Sequence, residues 1–368
     1  MKINLSECRY CSEVSLAQRE DPIGTAGIAD KWLIIEVPRP WKKQIWTKKP
    51  KYKAIIELSI ELEQQQPNSS LRLMAIASDK EYSVDGKVRV FYYFRQQKMF
   101  ANYEKIEYLI EKDKLIELVG AIVLEPKKLT YFDNNRQDSS HVREILVCTH
   151  TQYDTACGRY GTPLYQKLRK HYADNNLRIW HTSHFGGHKF APTLIDFPSG
   201  RFWGHLESEL LDSLIYQQRD LESLKYCYRG WSGLSKFAQI AEREVLLKEG
   251  WQWFDYLKSG KIVRCDRGNL FQRILRLILQ VLPLQKAKLL KKKLEQDCNW
   301  AEVLIEYTKP YSDLKQAYKV KVEVKTNVMT AAKTSKQMQL RSVKQYTVSQ
   351  IEKIKVDNIS GLETVGNE

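Results

Sequence analysis

The chain has 368 residues, 43% of them apolar and 28% charged, with a formal charge of +15 and a pI near 9.3. That length exceeds the roughly 250 to 300 residues at which a single core stops growing, so two or three folded units are expected, and the composition excludes general disorder. The N-terminal MKINLSECRYCSEVSLAQRED lacks a secretory apolar core, and the apolar run Leu277–Leu284 is far short of a bilayer span, so a cytoplasmic protein with no integral membrane segment is expected.

From Lys31 the order reads strand (KWLIIEV), basic loop, helix (AIIELSIELEQQ) and strand (LRLMAIAS). A hairpin of VRVFYYF with KMFANY and a helix over 105–117 complete a β-α-β-β-β-α unit within residues 1–135. Within 140–218 the order returns: strand VREILVCT, helix from about Pro163 to Ala173, strand LRIWHTS, hairpin TLIDF/RFWGH and helix LESELLDSLIY. The fold class is therefore α/β, with two tandem units and a third, α+β region over 219–368. That last region reads as helical over 233–297, including a basic helix around Lys286–Lys293, and as strands over 300–348.

All seven histidines, His141, His150, His171, His181, His184, His188 and His205, lie in the second unit. The same segment holds Cys148 and Cys157 as C-x8-C, followed after 26 residues by His184 and His188 as H-x3-H. Two thiols and two imidazoles in two pairs are what a metal needs, and both loops leave one edge of the unit. A lone Cys on a strand is ordinarily a small buried hydrophobe and a lone His a satisfied polar group; the pairing is what lifts these four above that reading. The corresponding segments of the first unit, EVPRPWKKQIWTKKP and ASDKEYSVDGK, contain neither Cys nor His, so that unit reads as degenerate.

The segments VCTHTQYDTACGRYGTPLYQKL and HTSHFGGHKFAPTLIDFPSGRFWG resemble the sucrase/ferredoxin-like family, as do EDPIGTAGIADKWLIIEVPRPW, YRGWSG and AEREVLLKEGW, together covering most of residues 8–258. The resemblance implies a thioredoxin-like ferredoxin domain whose [2Fe–2S] cluster is held by Cys148, Cys157, His184 and His188. The glycines Gly186 and Gly187 would offer backbone N–H groups to the sulfides. Paired imidazoles on one iron imply a Rieske-like centre and proton-coupled electron transfer.

The family name also implies sucrose cleavage, but glycoside hydrolysis needs a facing carboxylate pair about 5 to 10 Å apart and no segment stands out as supplying one. Asp154 and Asp196 read as solvated or turn-forming. An electron carrier is thus favoured over an enzyme with its own small substrate. The alternative is a Cys2His2 zinc site in a binding protein without redox activity, against which the nine-residue Cys step speaks. His181 is an alternative ligand to His188, Cys8 and Cys11 form a weak C-x-x-C, and Cys227, Cys265 and Cys298 read as core. The basic charge suits an acidic redox partner such as a ferredoxin, flavodoxin or flavoprotein reductase, and no nucleic-acid-binding signature accompanies it.

Overall fold

The computed structural model describes residues 7–48, 50–67, 69–218, 221–266 and 298–355. A short helix α1 (Cys11–Ala17) precedes the first unit, β1 (Lys31–Glu36), α2 (Pro50–Gln65), β2 (Leu71–Ile76), β3 (Lys87–Phe94), β4 (Glu104–Glu111) and α3 (Leu115–Val123). After a two-residue strand β5 (Arg136–Gln137) come β6 (Arg143–Cys148), α4 (Thr155–His171), β7 (Leu177–Thr182), β8 (Thr193–Phe197), β9 (Arg201–Gly204) and α5 (Leu211–Tyr216). The chain closes with β10 (Tyr228–Trp231), α6 (Lys236–Glu249), β11 (Leu257–Cys265), β12 (Trp300–Thr308), β13 (Lys315–Ala331) and β14 (Leu340–Lys355). The α/β class expected from the sequence is what the structure shows.

Ten strands form one sheet in the order β10-β9-β8-β6-β7-β2-β1-β3-β4-β5. The order β2-β1-β3-β4 recurs as β7-β6-β8-β9, and β1 with β2 and β6 with β7 are the parallel pairs. The halves join where β2 meets β7 antiparallel at Ile76 and Thr182, reinforced by Thr182 Oγ1 donating to the Ala75 carbonyl at 2.9 Å.

The alternation of β1 explains the layers. Leu33 and Ile35 face α2 and α3, against Ile55, Leu62, Leu118 and Ile122. Trp32 and Ile34 face the other way, into a core shared with the second half. There the Trp32 ring lies 5.5 Å from Phe197, Tyr93 stacks on Phe197 at 4.3 Å, and Phe91 meets Trp180 at 5.8 Å. These strands are remote in the sheet order, so the sheet curls until the inner face of one half lies on that of the other.

Three expected elements differ. The hairpin partner of β3 is Glu104–Glu111, and the helix follows at Leu115–Val123 instead of starting at Lys105. The polar side of EKIEYLIE looks solvent-facing in the sequence, yet Lys105 and Glu107 are buried in a charge network. Helix α4 begins at Thr155, eight residues before Pro163, because Asp154 caps it. In the last region α6 ends at Glu249, and Leu257–Cys265 is a strand that opens a four-stranded antiparallel sheet, β11-β12-β13-β14. The helical run beyond Asn269 and the basic stretch Lys286–Lys293 lie outside the described residues.

The charge network closes the curled sheet. Lys105 Nζ reaches Glu144 Oε1 at 2.6 Å, Arg178 bonds both Glu107 and Glu144, Arg89 pairs with Glu107, and Trp180 Nε1 donates to Glu144 Oε2 at 2.6 Å. Burial pushes Lys105 down to about 8 although Glu144 pulls it up. Since Glu107 and Glu144 come from different halves, the network is electrostatic glue between them. Replacing Glu144 by Gln leaves Lys105, Arg178 and Arg89 to share the one carboxylate of Glu107 in a buried site, and breaking such a pair costs about 3 to 5 kcal/mol. Urea unfolding of Glu144→Gln is expected to show a loss of that size; a loss below about 1 kcal/mol would refute the role.

Candidate metal centre

Strand β6 ends at Cys148, and α4 packs across that end. A Cβ at Gly161 would lie 2.0 Å from the Cys148 carbonyl oxygen, so the approach requires glycine in the helix. Asp154, extended at φ −147° and ψ 135°, caps α4 by accepting from the Ala156 N–H at 2.8 Å. Cys157 is thus in the first helical turn rather than in the expected preceding loop, and the positive end of the helix favours a thiolate there.

The two thiols meet His184. Its Nδ1 lies 3.8 Å from Cys148 Sγ and 3.7 Å from Cys157 Sγ, and the three donor atoms all fall within 4.8 Å of one another. Burial opposes charge on Cys148, but hydrogen bonds from Cys157 and His184 outweigh it and hold this thiol well below its ordinary range. Cys157 moves up, through its hydrogen bond to Cys148 and through burial. The cysteines are buried, whereas His184 is half-buried, stacked on Tyr153 at 3.7 Å, with its backbone N–H donating to His150 Nδ1 at 3.3 Å.

His188 is close by but in a second cluster. Its ring is 5.5 Å from that of His184, and its Nδ1 lies 3.0 Å from Cys11 Sγ and 3.3 Å from Asp154 Oδ2. Ser335 completes this group, its Oγ donating to Asp154 Oδ1 at 2.8 Å and its N–H to Asp154 Oδ2 at 2.7 Å. Burial pushes Cys11 up to about 12, with Ser335 opposing and Asp154 reinforcing, and Cys11, Asp154 and His188 offer donor atoms within 4.8 Å of one another, a second group that could hold a metal ion. These contacts occupy Nδ1 and leave Nε2 of His188 for a metal, the usual arrangement in which a ligating imidazole is oriented through its other nitrogen by a carboxylate. Burial also lowers His188, although Asp154 opposes the shift.

The loop between the histidines is held from behind. Gly186 and Gly187 have φ of +100° and +80°, and a Cβ on Gly187 would lie 2.3 Å from the Arg229 guanidinium. Arg229 Nη1 donates to the Gly186 carbonyl at 3.1 Å, and Arg72 Nη2 to that of Phe185 at 3.3 Å.

The remaining candidates fall elsewhere. His181 stacks on Tyr165 at 3.4 Å and bonds Thr149, and burial next to Arg39 takes it down to about 3. His205 bonds Ser15, and His141 and His171 are exposed. Asp196 forms a two-pronged pair with Arg143 at 2.9 and 2.7 Å. Cys227 is buried with its Sγ 3.4 Å from the His205 carbonyl. Asp154, Ser335, Arg72 and Arg229 escaped the sequence reading of the site, and Cys11 enters it beside His188 and not as half of a redox pair with Cys8. Only Asp154 had a local signature, an Asp directly before a helix that runs into Thr-Ala-Cys.

Two thiols and imidazoles at the mouth of a capped helix form a donor set suited to iron–sulfur or zinc chemistry. A family model described as sucrase/ferredoxin-like matches residues 22–230. The chain belongs to this family. It is 39% identical over 83 residues to altered inheritance of mitochondria protein 32 of Debaryomyces hansenii, a match covering 22% of this chain and 29% of that protein. The chain thus spans under a third of that curated relative's length. A thioredoxin-like [2Fe–2S] ferredoxin from Aquifex aeolicus matches 23% of this chain and 89% of its own at 19% identity, with a TM-score of 0.19. Among the described residues no helix is long and apolar enough to cross a membrane.

Within this member of the sucrase/ferredoxin-like family, Asp154 has two tasks, capping α4 and holding His188. Asp154→Ala is expected to cost about 1 kcal/mol as a lost cap and to weaken metal retention about 10- to 100-fold as a lost orienting partner. Competition with a chelator measures the second effect, and unchanged metal retention would remove Asp154 from the centre.

Proposed function

We propose that this protein is a one-electron carrier whose [2Fe–2S] cluster is held by Cys148, Cys157, His184 and His188. The observation that carries the reading is the convergence of two buried thiols and the His184 Nδ1 within 4.8 Å, with His188 beside them, in a chain of the sucrase/ferredoxin-like family. The bound cluster would supply a single reversible electron, with a potential raised by its neutral imidazole ligands. The half-buried histidines form the solvent-side edge of the site, which suits electron exchange with a partner and lets a ligand imidazole exchange a proton as the charge changes.

The partner side is basic. From the first unit, the loop after β1 carries Lys42 and Lys43, both exposed, and brings Trp41 to 5.7 Å from the His150 ring and Lys43 Nζ to 5.3 Å from the Tyr153 ring. Tyr153 in turn stacks on His184, so these cations flank the histidine edge, where they would steer an acidic ferredoxin, flavodoxin or flavoprotein reductase. The unit that lacks ligands thereby contributes to the mouth of the site.

Zinc is the second reading, and one observation favours it. Sulfur–nitrogen separations of 3.7 and 3.8 Å are near the ~3.6 Å that a single tetrahedral ion sets with bonds of about 2.3 and 2.0 Å. Absorption and EPR of anaerobically purified protein, with iron, sulfide and zinc analysis, separate the two. A coloured protein with about two irons and two sulfides per chain is expected; a colourless zinc protein would refute electron transfer.

Cys148→Ser and Cys157→Ser are expected to lose most of the visible absorption, and Cys227→Ser to keep it. His184→Cys or His188→Cys should retain a cluster of lower potential, because a thiolate adds negative charge. Protein film voltammetry should show the parent potential falling as pH rises, and the dependence nearly vanishing when both histidines are replaced. A flat parent profile would separate the cluster from proton transfer.

A further inference from the structure

Arg229 of β10 is 1% exposed and Arg72 of β2 lies behind the same loop, and both carry charge into a place that offers no carboxylate. Arg229 Nε donates to Thr25 Oγ1 at 3.1 Å, Nη2 to the Thr25 carbonyl at 2.8 Å and Nη1 to the Gly186 carbonyl at 3.1 Å. Arg72 donates to the Phe185 carbonyl at 3.3 Å and faces the Trp32 ring at 5.3 Å. All these acceptors are neutral, and among the described residues neither guanidinium is in an ion pair. A dry cation without an anion costs several kcal/mol, and the half-buried Arg72 adds its repulsion to the buried Arg229. Burial and Arg72 push Arg229 down to about 9, while the nearby Cys148 and Cys157 sulfurs pull it up. Among the described residues no carboxylate is bonded to either guanidinium, and the Cys148 and Cys157 sulfurs are the negative groups that act on Arg229.

The surrounding chain is shaped to admit them. A Cβ on Gly27 would lie 1.9 Å from Arg72 Nη1, and one on Gly187 would lie 2.3 Å from Arg229 Nη2. Thr25 and Gly27 belong to the segment PIGTAG and Arg229 to YRGW, two stretches that contribute no ligand. Neutral packing would not need this space.

We infer that Arg229, with Arg72 beside it, is the built-in counter-charge of the cluster and raises its reduction potential by stabilising the reduced form. The inference rests on the proposed cluster. Two ferric ions, two sulfides and two thiolates with neutral imidazoles sum to zero charge, and one electron from a donor such as a reduced flavoprotein takes one iron to ferrous and leaves a net charge of minus one. Fixed cations bonded to the loop that carries both histidines favour the second state over the first, and because Arg229 is buried, salt screens it little. The carbonyls of Phe185 and Gly186, tied to the guanidiniums, also set the loop that carries both histidines, so each arginine is a positioning residue as well as a charge.

The test is an EPR-monitored redox titration of the loaded full chain and of Arg229→Gln, Arg229→Lys, Arg72→Gln and Arg72→Lys. Each Gln variant is expected to bind the electron about tenfold more weakly, which is a fall of about 59 mV for a one-electron couple. Each Lys variant should stay near the parent potential, since it keeps the charge and loses only the fork. If Arg229→Gln fails to fold, Arg72→Gln, half-exposed and more tolerant, decides the matter. Loaded Gln variants that titrate with the parent would overturn the counter-charge, as would Gln and Lys variants shifting alike, which is the mark of a purely structural brace. A parent that takes up no iron and sulfide would instead overturn the proposed cluster itself.

Discussion

One carboxylate ties the site to the rest of the chain. Asp154 caps the helix that carries Cys157, faces the Nδ1 of His188, and accepts from both the N–H and the hydroxyl of Ser335, which arrives from between β13 and β14. Through Ser335 it also meets Cys11 of α1. Four segments far apart in sequence therefore converge on two oxygens that are themselves buried. Removing them would free the helix start, the histidine ring and the tip of the C-terminal hairpin together, so the C-terminal sheet is part of the site's scaffold.

The curled sheet does the complementary work on the other side. Strands β2 and β10 stand at the middle and the end of the ten-stranded order, yet their arginines bond adjacent carbonyls of one five-residue loop. That is possible because aromatic contacts across the sheet bring its two halves face to face, with the Lys105–Glu107–Glu144–Arg178 network sealing the contact. The loop after β1 reaches the mouth of the site for the same reason. The two cysteines and two histidines come from one unit, and the groups that brace and border them come largely from outside it.

The sequence exposed the parts of this arrangement that follow local rules. Strand alternation in KWLIIEV and VREILVCT, the paired spacings of the cysteines and histidines and the glycines between the histidines were all visible, because each depends on residues a few positions apart. Element boundaries were lost where a rule had a competitor. Pro163 marks a helix start in general, but Asp154 caps this helix two turns earlier, and buried charges gave β4 the look of a helix. The partners of His188 and the arginines behind the loop were invisible for a different reason: Ser335 and Arg229 lie 181 and 43 residues from the groups they bond. No periodicity relates such residues, and only the closed fold brings them together.

The four-stranded sheet ends in β14, an edge of 16 residues with one side paired to β13 and, among the described residues, no strand on the other. An unpaired edge of that length is a template for another chain's strand, and most proteins shorten, cover or charge it. Here Arg341, Lys344 and Lys353 punctuate the strand, while the ten-stranded sheet ends in strands of only two and four residues. Two copies meeting along β14 would bring these cations together, so the charge of the strand discourages the chain from recruiting itself.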